Sequence, residues 1–195
     1  MPMEPFAMTV PFDFLCWCWA AFAAIFLLRK KSVAVTEVRR DRRAFLPIAI
    51  QGIAFGIVWS VRRHHGVPLI TLALDPYLNV SGCVLAAATV IWVFVSVRAL
   101  GKQWTVAARL VAGHNLVTRG PYGLVRNPIY TGIFGMLLAA GIILTRWPAF
   151  VIAIVIFLGA TMWRIRIEEG LLRGQFGAEF EEYCRRVPAA LLPGL

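Results

Sequence analysis

Apolar residues run almost unbroken over Phe12 to Leu28, Ala44 to Val61, Tyr77 to Val97, Ile129 to Thr145 and Ala149 to Trp163, with polar and basic residues between the runs. A helix needs about 20 residues to cross the hydrocarbon core of a bilayer. The fifth run reaches that length by taking in Arg164 to Ile167. The pattern predicts an all-α integral membrane bundle of about five transmembrane helices, forming one domain over 1–195. Three spans fall in 1–100, a polar loop in 101–128, and two spans with a C-terminal amphipathic helix in 129–195. Val67 to Leu74 is apolar but too short to span, which predicts an interfacial or re-entrant piece, and Asp75-Pro76 predicts a turn. Beyond the fifth run, Leu172, Phe176, Phe180, Tyr183 and Val187 recur at helical spacing, as expected of a helix lying along the cytosolic interface. Gly174 and Gly177 are the places for a kink in it.

Composition agrees with this pattern. Hydrophobic residues make up 59% of the chain and charged residues 15%, with a mean hydropathy of +0.73, which excludes an ordinary soluble domain. The net charge of +10 could signal a nucleic-acid partner, but the basic residues sit in short clusters between apolar runs with no RNA- or DNA-binding motif around them. They instead read as topology signals. With five spans, all but Arg62, Arg63 and Arg146 of the 20 Lys and Arg residues fall on one side, including the cluster from Arg29-Lys30-Lys31 to Arg42-Arg43. The positive-inside rule then puts the N-terminus outside and the C-terminus in the cytosol. Residues 1–11 hold no Lys or Arg and so lack the basic region of a signal peptide. The four cysteines lie in no CxxC or Cys/His spacing, and His64-His65 are adjacent and poorly placed to share a metal, so no metal site is expected.

One stretch breaks the apolar monotony. His114 to Tyr130, HNLVTRGPYGLVRNPIY, gathers His114, Thr118, Arg119, Tyr122, Arg126, Asn127 and Tyr130 with Gly120-Pro121, Gly123 and Pro128. Gly-Pro marks a turn, and Pro128 biases Asn127 away from helix. A shaped polar loop at the mouth of a membrane helix fits a binding site, and on residue types alone it fits a cytosolic connector equally well.

The motif residues bear on that choice. His114-Asn115-Leu116-Val117, Gly120-Pro121-Tyr122 and Val125-Arg126-Asn127-Pro128-Ile129-Tyr130 resemble the cofactor loop of the isoprenylcysteine carboxyl methyltransferase family, written roughly H-x-L-V-x-x-G-x-Y-x-x-x-R-H-P-x-Y. A second block, with Arg164, Glu168-Glu169, Leu172, Phe176 to Tyr183 and Arg186-Val187-Pro188, follows at a matching distance. The resemblance covers roughly the C-terminal half, from about Gly101. Asn127 departs from the pattern, standing where it usually has His.

The resemblance implies S-adenosylmethionine as cofactor and the α-carboxylate of a lipidated cysteine, or a similar lipophilic carboxylate entering from the bilayer, as acceptor. It implies that His114, Asn115, Leu116, Val117, Tyr122, Asn127, Pro128, Ile129 and Tyr130 wrap the cofactor. Glu168 would pair with the cofactor's α-amino group, and Arg164 would hold the acceptor carboxylate. Spacing alone supports a plainer reading of the last two, because Arg164 and Glu168 are one helical turn apart and can neutralise each other. Two further chemistries stay open. A phospholipid N-methyltransferase would use the same cofactor but needs a base to deprotonate its ammonium acceptor. A sterol-reductase-like enzyme with a similar R-x-P-x-Y loop would use NADPH, though this chain lacks the additional spans of such enzymes.

Overall fold

The computed structural model describes residues 6–28, 37–40, 45–63, 69–70, 73–101, 109–111 and 116–192. His114, Asn115, His64 and His65, together with the basic residues at 29–31 and 42–43, lie outside the described residues. Among the described residues six α-helices form, α1 Phe6–Leu27, α2 Phe45–Ser60, α3 Asp75–Leu100, α4 Pro128–Leu144, α5 Trp147–Phe176 and α6 Ala178–Arg186. Glu37–Arg40 (β1) and Arg109–Val111 (β2) pair as two antiparallel strands, a small departure from the expected all-α bundle.

Among the described residues, three helical stretches are long and apolar enough to cross a membrane: Val10–Leu27 of α1, α3 and α5. α2 and α4 are shorter apolar helices of 16 and 17 residues. At 1.5 Å per residue they reach about 24 and 26 Å, somewhat short of a ~30 Å hydrocarbon core. The fifth helix exceeds its expected bounds. It is continuous over 30 residues, about 45 Å, and runs through Gly174 without a break. The break falls at Gly177, whose φ of 50° is a conformation that favours glycine. There the chain turns into α6.

That joint changes the role of the C-terminal apolar stripe. Leu172 and Phe176 end α5, while Phe180, Tyr183 and Val187 belong to α6 and its exit, and all five pack into one cluster with Leu116. Phe180 and Tyr183 are almost fully buried. The stripe expected to face the membrane interface is therefore spent on packing α6 against the end of α5 and the polar loop.

The core sits among α1 to α5, with Ala54, Val58, Ala86, Val93, Met136, Leu137, Ala139, Ala140, Ala153 and Phe157 fully or almost fully buried. Trp17, Val80, Val84, Ile91 and Val155 face outward, as expected of side chains that meet lipid. α3 and α4 approach closely because glycines line their contact. A Cβ at Gly132 would land on Val93 Cγ2, and one at Gly82 would stand 2.8 Å from Ile143 Cγ1. Gln51 Nε2 donates to Thr161 Oγ1 at 2.8 Å, a buried polar link between α2 and α5.

A second polar link closes the end of the bundle opposite the loop. Arg63 is buried and pairs with Asp75 Oδ1 at 2.5 Å. Its Nη2 also donates to the carbonyls of Ile142 and Ile143 at 2.9 Å each, and its backbone N–H to that of Leu144 at 2.8 Å. Those carbonyls end α4, where no further helical N–H can reach them. Asp75 is thus the first residue of α3, with Pro76 in the opening turn, and not part of a free turn.

Candidate functional site

The site is built where the loop, the start of α4 and the far part of α5 meet. Gly120–Gly123 forms one turn of 3-10 helix, and its Tyr122 is buried. The Tyr122 carbonyl accepts from the Tyr183 hydroxyl at 2.7 Å, which ties the loop to α6. Burial pushes the Tyr183 phenol above its ordinary value, so it remains a donor at physiological pH. Asn127 stands before α4, and Pro128 occupies the opening turn, where its missing N–H costs no helical bond. Trp92 of α3 donates to the Pro128 carbonyl at 2.8 Å and fixes the start of α4 from the other side.

One turn into α4, the Tyr130 hydroxyl meets α5. It donates to Glu168 Oε1 at 2.7 Å and accepts from Arg164 Nε, which also reaches Glu168 Oε1 at 3.1 Å. The Arg164 guanidinium also lies 5.3 Å from the centre of the Tyr130 ring. Arg164 is 6% exposed and Tyr130 8%, whereas the Glu168 side chain is 22% exposed and reaches the edge of the cluster. The Arg164–Glu168 pair expected from spacing is real, and Tyr130 makes it a triad.

The neighbouring Glu169 points elsewhere. It takes Arg126 Nε at 2.8 Å and Asn127 Nδ2 at 3.2 Å. The same two residues hold the segment after α6. Arg126 Nη1 donates to the carbonyls of Val187 and Pro188 at 2.8 and 2.6 Å, and the backbone N–H groups of Arg126 and Asn127 donate to those of Ala189 and Ala190. Asn127 Nδ2 reaches the Ala190 carbonyl as well, at 3.0 Å, and Thr131 Oγ1 reaches that of Leu191 at 2.6 Å. Five consecutive carbonyls are thereby engaged.

Of the sequence-predicted residues, Tyr130, Arg164 and Glu168 come together directly. Asn127, Pro128 and Ile129 form the entry to α4 beside them. Leu116 packs with the α6 cluster, Val117 is half-buried, and the Tyr122 ring is buried. Thr131 and Ala189 to Leu191 were not foreseen as parts of the site, whereas Glu169 and Val187-Pro188 stood in the second motif block without an assigned contact. Glu169 carried a signal in its adjacency to Glu168, whereas a segment held by its backbone oxygens carries none in its residue types.

Together the bundle and the polar cluster at one end of it define a multi-pass membrane protein with a candidate site. The phospholipid methyltransferase family pattern matches residues 78–179, just over half of the chain, and the chain belongs to that family. The protein-S-isoprenylcysteine O-methyltransferase of Schizosaccharomyces pombe is 31% identical over 86 residues, which cover 44% of this chain and 36% of the yeast protein. The chain thus spans little more than a third of that relative's length. The probable protein-S-isoprenylcysteine O-methyltransferases of Oryza sativa subspecies indica and japonica are each 27% identical over 185 residues, 90% of this chain and 94% of theirs.

Proposed function

We propose that this chain is a membrane methyltransferase that uses S-adenosylmethionine to methylate the α-carboxylate of a lipidated cysteine or a similar lipophilic carboxylate at the cytosolic face. The observation that carries the reading is the Tyr130–Arg164–Glu168 triad, which sets a largely buried guanidinium beside a carboxylate at the end of the bundle. The carboxylate fits a cofactor bearing an α-ammonium group. Both contacts of Glu168 fall on Oε1, and among the described residues none donates to Oε2. S-adenosylmethionine supplies, when bound, a methyl group already activated on its sulfonium. Glu168 takes the cofactor's ammonium, and Leu116, Val117, Tyr122 and the Asn127 to Tyr130 turn, with His114 and Asn115, enclose the rest. Arg164 orients the acceptor carboxylate, for which a guanidinium fork is the matching shape. An α-carboxylate with a pKa near ~3.5 is ionised at neutral pH and needs no general base, so the work of these residues is alignment and exclusion of water.

Family membership favours a second reading, N-methylation of a phospholipid. The two separate in one assay. Purified protein with labelled cofactor is offered a prenylcysteine analogue and phosphatidylethanolamine side by side, and label is expected on the former. Label on phosphatidylethanolamine alone overturns the carboxylate reading. S-adenosylmethionine, and not NADPH, should also raise the unfolding temperature, since a ligand bound only by the native state stabilises it. Glu168→Gln, which keeps shape and removes charge, should weaken S-adenosylmethionine binding by about tenfold or more. Unchanged affinity would leave Glu168 as a partner of Arg164 and Tyr130 only.

The proposal includes five spans, with α2 and α4 crossing as short helices and the N-terminus outside. Bilayers accommodate such mismatch by thinning or by snorkelling of flanking residues. Reporter fusions after Arg43, His65, Gly113, Arg146 and Leu195 should read inside, outside, inside, outside and inside. An outside signal at Gly113 would place the loop away from cytosolic cofactor and sink the reading.

A further inference from the structure

Glu168 and Glu169 are adjacent on α5, so their side chains diverge by about 100° around the helix. Each is met by a residue at the start of α4, Glu168 by Tyr130 at 2.7 Å and Glu169 by Asn127 at 3.2 Å. Asn127 and Tyr130 are themselves about one helical turn apart. The two contacts therefore form parallel rungs between the start of α4 and α5.

The donors of the second rung are nearly all engaged, both protons of the Asn127 amide and four of the five N–H groups of Arg126. The Nδ2 of Asn127 carries two protons, and they go to Glu169 Oε1 and the Ala190 carbonyl. Arg126 turns Nε and Nη2 to Glu169, at 2.8 and 3.5 Å, and Nη1 to the carbonyls of Val187 and Pro188. Glu169 is the acid on which both donors converge, and its side chain and that of Arg126 are each 12% exposed. A carboxylate there is worth more than on the surface, because water screens it little.

We propose that Glu169 is a positioning residue for cofactor binding. Through Arg126 and Asn127 it holds the loop on α5, seats the 187–191 segment, and so keeps Tyr130 in register with Glu168. The proposal rests on the reading of this loop as the cofactor site.

Two measurements on Glu169→Gln test it. In the first, amide hydrogen exchange at Arg126 and Asn127, whose N–H groups donate to Ala189 and Ala190, should quicken about tenfold. In the second, the KM for S-adenosylmethionine should rise about tenfold while the KM for the prenylcysteine analogue stays within about twofold. Asn127→Asp, which turns an acceptor toward Glu169 and the Ala190 carbonyl, should give the same split and serves where the first variant folds poorly. Unaltered exchange overturns the brace. Faster exchange with both KM values raised alike overturns the positioning role, since that is the mark of general loosening. A parent protein without affinity for S-adenosylmethionine would sink the cofactor reading, and with it the positioning role, whereas the exchange measurement would still decide the brace.

Discussion

Arg164→Lys protein should bind S-adenosylmethionine within about twofold of the parent and transfer methyl groups at about a tenth of the rate or less. Lysine keeps the positive charge one helical turn from Glu168, so the ion pair that steadies the Glu168 carboxylate survives. It lacks the planar fork that can clamp a carboxylate with two parallel bonds. Loss of about 1.4 kcal/mol of transition-state stabilisation gives the tenfold fall. Arg164→Ala goes further and should cost about a hundredfold, since it removes the guanidinium that the proposed role sets beside the acceptor carboxylate. Radiolabel transfer and calorimetric titration on the same preparations check both variants. Full turnover by the lysine variant would reduce Arg164 to a partner for Glu168, and a parallel loss of cofactor affinity would point the same way.

The other large effect lies at the opposite end of the bundle. Asp75→Leu should destabilise the protein by about 3–5 kcal/mol, because it strands the Arg63 charge in a buried place. Against a total stability of about 5–15 kcal/mol this is severe. The unfolding temperature in detergent should fall by roughly 10 °C or more. Replacing both residues, as in Asp75→Leu with Arg63→Leu, should recover part of the loss by removing the stranded charge. Recovery stays partial because the carbonyls of Ile142 and Ile143 lose their donor. Neither variant touches the triad, so activity per folded molecule should hold. An Asp75→Leu protein as stable as its parent would show that Arg63 finds water or another partner.

These two sites show what a linear pattern reveals. Apolar runs located every long helix to within a few residues at most ends, since burial in lipid or core demands nothing of a side chain except that it be apolar. Arg164 and Glu168 were legible as a pair because a helix makes neighbours of residues four apart. Their third member, Tyr130, is 34 positions away and was reachable only through the family resemblance. Arg63 counted as a topology charge and Asp75 as a turn residue, because local rules treat Asp-Pro as a break although it also suits the opening of a helix. The pairing of Glu37–Arg40 with Arg109–Val111 joins segments about 70 residues apart, and neither carries a strand pattern strong enough to announce it. Asn127 stood out as a departure from the family pattern, and the structure gives it two acceptors that an amide NH2 satisfies at once.

The way the 187–191 segment is held sets different tolerances for different kinds of change. Arg126, Asn127 and Thr131 address five successive carbonyl oxygens and no side chain of that segment. Every amino acid supplies the same oxygen, so exposed Pro188 and part-buried Ala189 can be exchanged without moving any of them, while Ala190 and Leu191 are constrained only by the space they fill. Inserting or deleting a single residue is another matter. It shifts every oxygen by one place along the chain and offers Arg126 and Asn127 the wrong partners at once. At Pro188 and Ala189 the segment is read by its count of residues after Tyr183 and hardly at all by its spelling, while buried Val187, Ala190 and Leu191 must also fit.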